Sequence, residues 1–351
     1  MPAPDPRPTL LEAEAGPAGL PRTLAPMRPR LAAEAFNSSD HLFEVKWDGI
    51  RAQVAQDAGG LRITDRHGGD LLPAMPELAA LRLPAGTLLD GEIIVCDTRG
   101  RPSYDLLVGR LGPKHAKRGR GPVFVAFDLL FSDHRSLLGR PLAERRRRLL
   151  ERGLAGPGLV VPEHLETDGE PFFEVIAEYG LEGIVAKRRD GRYVPGTRSA
   201  DWLKCLVAPR SDVIIGGLII DGARGARSVL CGWRADDGTT RFAGEAVVPP
   251  YLADWLDAAT RDLRAGGSPF TGPLPLRPGT TWLRPRLVAI VDHEGDQDGV
   301  LQGARFRALR FDGRADDCRR EDQVEVPHVP ATAATERPRL VLLNALPFAL
   351  S

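Results

Sequence analysis

Lys46 stands in the string Glu44-Val45-Lys46-Trp47-Asp48-Gly49-Ile50-Arg51, a lysine beside an Asp-Gly turn. A lysine used as a nucleophile must be neutral. With a pKa of about 10.4, only roughly one in a thousand is neutral at physiological pH. Neighbouring cations disfavour protonation and so activate the amine. A lone string of this kind is weak evidence, because lysines next to turn glycines are mostly solvated loop residues. The weight comes from three further clusters: Asp90-Gly91-Glu92, Glu182-Gly183-Ile184-Val185-Ala186-Lys187, and Trp202-Leu203-Lys204. Together they add two glutamates and two lysines to the nucleophile candidate.

The elements that must position these groups are mainly strands. Leu42 to Trp47, Ile50 to Gln56 and Leu61 to Asp65 read as successive strands, with Asp57-Ala58-Gly59-Gly60 as a hairpin turn. Leu88 to Cys96, the apolar run Val123 to Leu130, and Gly183 to Arg188 extend the pattern. Helices are expected from Pro141 to about Arg152 and from Pro171 to about Tyr179, each with proline at a tolerated first-turn position. The run Arg145-Arg146-Arg147-Arg148 within the first of these is expected to form a solvated face. Ala208-Pro209-Arg210-Ser211 reads as a linker. Beyond it come short strands over Asp212–Ile220, Ser228–Trp233, Arg241–Val247 and Arg286–Val291, and a helical stretch from Pro250 to about Leu263. The fold class is α+β: an antiparallel-sheet domain over 21–208, then an OB-type β-barrel over 209–325. Residues 1–20, rich in Pro and Ala, are expected to be disordered, and 326–351 form a tail.

Composition narrows the class but not the partner. The 351 residues carry 47 basic and 47 acidic side chains, so the net charge is zero. A neutral total is compatible with a basic patch on one face. Cys96, Cys205, Cys231 and Cys318 are far apart and form no Cys-x-x-Cys pair. A zinc knuckle and a disulfide framework are therefore not expected. Met1-Pro2-Ala3-Pro4-Asp5-Pro6 lacks the apolar core of a signal peptide, and no stretch approaches the ~20 apolar residues of a membrane helix. A cytoplasmic protein without a membrane is the expectation.

The Lys-x-Asp-Gly-x-Arg string at Lys46 resembles the first motif of the covalent nucleotidyltransferases: DNA ligases, RNA ligases and mRNA-capping enzymes. Asp90-Gly91-Glu92, Glu182 to Lys187 and Trp202 to Lys204 resemble the third, fourth and fifth motifs, in the right order. Phe127, in Val125-Ala126-Phe127-Asp128, matches the aromatic motif between them. Gly303 to Asp312 resembles the sixth. The segment Tyr193 to Ser199 is similar to bacterial end-joining ATP-dependent DNA ligases, and the resemblance runs over roughly residues 22 to 320.

The resemblance implies a role for each residue. Lys46 would carry AMP. Glu44 would lie near the adenine edge, Arg51 near the ribose, and Phe127 would stack on the base. Glu92 and Glu182 would hold Mg2+ or Mn2+, since magnesium takes one or two carboxylates plus phosphate oxygens. Lys187 and Lys204 would bind phosphates and supply a cationic field that activates Lys46. Arg66 and Arg198 would meet phosphates, and Arg305, Arg307 and Arg310 would orient the leaving pyrophosphate when the second domain closes. The implied substrates are ATP and nicked double-stranded DNA, with separate end-joining proteins as possible partners and a monomer as the expected state.

Two positions depart from the family pattern. Leu206 stands where a second lysine of the fifth motif is common, and Asp312-Gly313-Arg314 replaces the usual Asp-Lys ending of the sixth. Each removes or moves a cation near the triphosphate. The rivals are an RNA ligase, a GTP-dependent capping-type enzyme, and a catalytically weak DNA-binding relative.

Overall fold

The computed structural model describes residues 20–111, 120–154, 156–221, 225–272, 274, 277–320, 322, 325 and 326. Apart from Leu20 and Val326, the segments expected to be a disordered start and a tail lie outside the described residues. The chain divides into two compact units, one built mainly from Glu34–Cys205 and the other mainly from Leu206–Pro327.

β1 (Arg28–Ala32) falls mostly in the second unit, which takes Arg30–Ala33; the strands of the first unit are β2 (Ser38–Val45), β3 (Ile50–Asp57), β4 (Gly60–Asp65), β5 (Thr87–Val95), β6 (Pro122–Ser132), β7 (Arg135–Ser136), β8 (Leu159–Val160), β9 (Leu165–Thr167), β10 (Gly183–Arg188) and β11 (Arg198–Leu206). Its helices are α1 (Tyr104–Leu111), α2 (Leu142–Glu151) and α3 (Gly169–Glu178). One sheet contains the strand order β11-β10-β2-β9; the other runs β4-β3-β5-β6-β7, with β8 joined in parallel to β6. β6 is apolar along nearly its whole length because almost every residue is buried. The hairpin turn lies where expected: Asp57 pairs with Gly60, and the Asp57 carboxylate accepts a hydrogen bond from the Gly59 amide at 2.8 Å.

Some expectations shift. The first strand starts earlier, at Ser38, and stops at Val45, so Lys46 and Trp47 leave it for the connection to β3. α1 and β11 lack a clear sequence signal. α1 is short, and β11 carries the charged and polar residues Arg198, Ser199, Asp201 and Lys204 among its apolar ones.

The arginine run is the main correction. Arg147 and Arg148 are solvated and pair with Glu151 and Glu144 one turn away. Arg145 and Arg146 are wholly buried. Helical spacing explains the split, because Leu142, Arg145, Arg146 and Leu149 fall on one stripe, and that stripe faces the core. Arg145 grips Asp128 of β6 through two bonds of 2.8 Å, and one of its nitrogens donates to the carbonyls of Arg140 and Gly191.

The second unit contains β12 (Arg210–Asp221), β13 (Gly225–Arg234), β14 (Thr240–Val247), α4 (Ala253–Thr260), β15 (Arg264–Ala265), β16 (Phe270–Thr271), β17 (Thr280–Asp292), β18 (Gly295–Gln297), β19 (Val300–Gln302) and β20 (Arg305–Leu309). Its sheet runs β12-β13-β14-β20-β17 and closes through a β12–β17 pairing. The β14–β20 contact is parallel and the other contacts around the ring are antiparallel, the closed five-stranded topology of an OB-fold. Val213, Ile215, Val229, Cys231, Val291 and Phe306 fill its interior, and Leu256 of α4 packs against the same cluster. The expected linker is shorter than four residues, because β12 already begins at Arg210. β17 runs longer than expected and slips its register between Trp282 and Leu287, a stretch that contains Pro285.

Removing the carboxylate from Asp128 would leave Arg145 charged, buried and uncompensated. Asp128→Ala is expected to cost about 3–5 kcal/mol of unfolding free energy. Urea denaturation followed by circular dichroism checks it, and a loss of under about 1 kcal/mol, the scale of an exposed pair, would contradict the burial.

Candidate active site

Lys46 follows the last residue of β2, and its backbone amide donates to the Gly183 carbonyl at 2.9 Å. That bond brings the start of β10 against it. The Lys46 ammonium then meets the Glu182 carboxylate at 3.0 Å, with the lysine side chain 25% exposed. The amine is thus partly open to an incoming molecule, with a carboxylate against it.

Two residues back along β2, Glu44 is almost fully buried. Lys187 of β10 donates to its Oε2 at 2.6 Å, and Arg146 Nε lies 3.3 Å from its Oε1. Burial disfavours the charged Glu44, but Lys187 and Arg146 together outweigh it and hold the carboxyl below the usual glutamate range. Burial also pushes Lys187 below the usual lysine range, although Glu44 pulls it the other way. The charge of Lys187 is met by Glu44, and Lys46 itself faces Glu182.

A second cluster sits on β3 and β5. Arg51 is opposite Glu92 and two positions from Asp90, so the three side chains share a face. Arg51 binds Asp90 through two bonds of 2.7 Å and also donates to the Met27 carbonyl. Tyr193 donates its hydroxyl to the same Asp90 at 2.7 Å. Burial opposes the Arg51 charge, yet Asp90 holds the guanidinium above its ordinary value. Burial, with Asp90 beside it, keeps the Tyr193 phenol protonated, its pKa well above the ordinary value.

Phe127 joins the two clusters. The β5–β6 register jumps from Asp90–Asp128 to Gly91–Ala126, leaving Phe127 as the extra residue of a bulge. Its ring packs edge-on to Trp202, with Lys187 Nζ 4.0 Å and Arg51 Cζ 4.7 Å from its centre. Cations over an aromatic ring are attracted by its quadrupole.

Gly49 shows why the connection between β2 and β3 needs its glycine. A Cβ there would stand 2.3 Å from the Ile93 carbonyl oxygen and 2.9 Å from Glu92 Cγ. The loop carrying Lys46 is pressed against β5, with Glu92 at the contact. Among the described residues no group of three or more His, Cys, Asp or Glu side chains could hold a metal. Magnesium needs only one or two protein carboxylates, and Glu92 stands beside the Lys46 loop while Glu182 lies on Lys46 itself.

The remaining candidates are more dispersed. Arg66 lies just past β4 and donates to His67. Arg198 opens β11 and donates to the Pro29 carbonyl, and Lys204 lies half-buried further along that strand. In the second unit Arg305 is exposed and Arg307 half-buried on β20, and Arg310 lies 3.3 Å from both Asp212 and Asp312. Sequence reasoning gave no role to Asp90, Tyr193 or Arg146. The signal for Arg146 was present, because two arginines occupy the apolar stripe of α2.

A family described as "ATP dependent DNA ligase domain" matches residues 25–205. The multifunctional non-homologous end joining DNA repair protein LigD of Mycobacterium tuberculosis is 37% identical over 311 residues, covering 85% of this chain and 40% of LigD. A probable DNA ligase of Streptomyces coelicolor is 31% identical over 86% of this chain and 64% of its own length. Among solved structures, mycobacterial DNA ligase D complexed with ATP and MES is 35% identical with a TM-score of 0.60, covering 84% of this chain and 97% of that one. The fold is that of a nucleotidyltransferase domain followed by an OB-fold domain. The chain belongs to the ATP-dependent DNA ligase family, which favours the DNA-ligase reading over the RNA-ligase and capping readings. It spans less than half the length of the mycobacterial LigD proteins it matches.

The buried Glu44 links the site to pH. Its folded carboxyl titrates below the unfolded one, so its stabilisation is whole above the usual glutamate range and fades as pH falls through the folded pKa. Glu44→Gln is expected to destabilise the protein most near neutrality, with the gap from wild type closing below about pH 4. Urea melts across that range check it; a gap that widens in acid would reverse the sign.

Proposed function

We propose that this chain seals nicks in duplex DNA that carry a 5′-phosphate and a 3′-hydroxyl. The reading rests above all on Lys46, a partly exposed amine at the end of β2 with Glu182 at 3.0 Å.

Three transfers follow. The neutral Lys46 nitrogen attacks the α-phosphorus of ATP. A P–N bond forms, the bond to the β-phosphate oxygen breaks, and pyrophosphate leaves. An oxygen of the DNA 5′-phosphate then attacks the same phosphorus, and the lysine departs. The 3′-hydroxyl finally attacks the 5′-phosphorus, sealing the strand and releasing AMP. Positioning and charge stabilisation dominate such chemistry. Glu92 and Glu182 would hold Mg2+ or Mn2+, which reduces charge on the phosphates and eases departure of pyrophosphate.

The other residues take the roles that the family resemblance carries. Glu44 meets the adenine edge and Phe127 its face, Arg51 the ribose, and Arg66, Arg198, Lys187 and Lys204 the phosphates. Arg305, Arg307 and Arg310 orient pyrophosphate. The protein acts as a cytoplasmic monomer on nicked DNA, with end-joining partners supplied separately, and its DNA binding weakens steeply with salt.

Incubation with α-labelled ATP, GTP or NAD and Mg2+ or Mn2+ tests the scheme. Label is expected on the protein from ATP alone, absent in Lys46→Ala, and discharged by nicked DNA but not by nicked RNA. Label retained by Lys46→Ala would remove Lys46 as nucleophile.

A further inference from the structure

Arg146 stands apart from the residues assigned above. It lies wholly buried on α2, and its guanidinium reaches three separate parts of the chain. Its Nε is 3.3 Å from Glu44 Oε1 on β2. One terminal nitrogen donates to the Phe127 carbonyl on β6 at 3.1 Å, and the other to the Pro162 carbonyl at 2.5 Å. Burying a guanidinium carries a desolvation penalty that an apolar side chain on the same stripe would avoid. Helix packing alone therefore gives no reason for it. Its two partners among the site residues are the ones set at the base of the nucleotide.

The consequence lies in what Glu44 can do. Lys187 engages one carboxylate oxygen at 2.6 Å and Arg146 lies against the other. An ionised carboxylate only accepts hydrogen bonds, and with about four lone-pair sites it has room for a further donor. A protonated one could also donate, to a carbonyl. The titratable and charged groups bearing on Glu44 are Lys187 from β10, Arg146 from α2 and His164 from the segment before β9; Lys187 and Arg146 favour the ionised form against burial, and His164 does so only when protonated, a form that its own burial disfavours.

We propose that Arg146 is a positioning residue for base selection: it fixes Glu44 as an acceptor-only group beside Phe127, so that the pocket favours a purine bearing an exocyclic 6-amino donor. The inference rests on the placement of adenine at Glu44 in the proposed function. Arg146 touches no reacting atom.

The test compares protein labelling from α-labelled ATP, GTP and purine riboside triphosphate, which lacks the 6-amino group, after bound adenylate has been removed with pyrophosphate. Arg146→Gln is expected to raise KM for ATP about tenfold, the scale of one charge-assisted hydrogen bond, and to leave KM for purine riboside triphosphate unchanged. The preference for ATP over that analogue falls by the same factor, and Arg146→Lys lies between Gln and wild type. A residue serving only the fold would weaken both nucleotides alike and keep their ratio. An unchanged ratio in a folded Arg146→Gln protein overturns the proposal. Should that variant lack a cooperative melt, Arg146→Lys decides, since one ammonium cannot serve Glu44 and both carbonyls; an unchanged ratio there is equally fatal. Wild-type protein that takes no label from ATP would instead sink the ligase reading itself.

Discussion

The structure around Lys46 depends on keeping a carboxylate ionised inside a core. Glu44 is buried two residues before Lys46, where an isolated charge would be expelled or neutralised. Two cations from different elements make it tolerable, Lys187 at 2.6 Å and Arg146 at 3.3 Å. That requirement draws β10 and α2 onto β2 and so places Gly183, whose carbonyl receives the Lys46 amide. The lysine therefore leaves its strand at a point set by charges buried behind it. Breaking such a group by removing one member is far more costly than never having built it.

The second sheet repeats this arrangement with different partners. Arg51 and Tyr193 both hold Asp90, and Arg145 holds Asp128, which faces Asp90 across the β5–β6 ladder. Next to that pair the strands slip by one residue, and Phe127 is the residue displaced. An aromatic ring on a bulge can be aimed away from the direction its strand would otherwise impose. Here it turns toward Trp202, under the cations of Lys187 and Arg51. In the OB barrel, by contrast, order comes from apolar packing around the closed strand ring.

Much of this was readable from residue types. The turn residues Asp57-Ala58-Gly59-Gly60 marked the hairpin, and Gly183 to Arg188 was delimited to the residue. Lys46 and Glu182 were singled out separately, and they pair. The buried arginines were missed because charge is ordinarily read as exposure. Helical spacing at Leu142, Arg145, Arg146 and Leu149 carried the opposite message. The role of Asp90 was hidden for a related reason: its partners Arg51 and Tyr193 are remote in the chain, and only the β3–β5 register and the fold of the Tyr193 segment bring them together. α1 could not be anticipated from a run of eight residues that includes Gly109.

Arg146 takes hold of Phe127 by its main-chain oxygen, whatever the side chain at that position. The location of that position and the choice of side chain standing on it are therefore governed separately. Over evolutionary time an aromatic of another shape could be exchanged there while the polypeptide stays anchored at the same spot. Related sequences could in this way vary the side chain at that spot without rebuilding the framework beneath it.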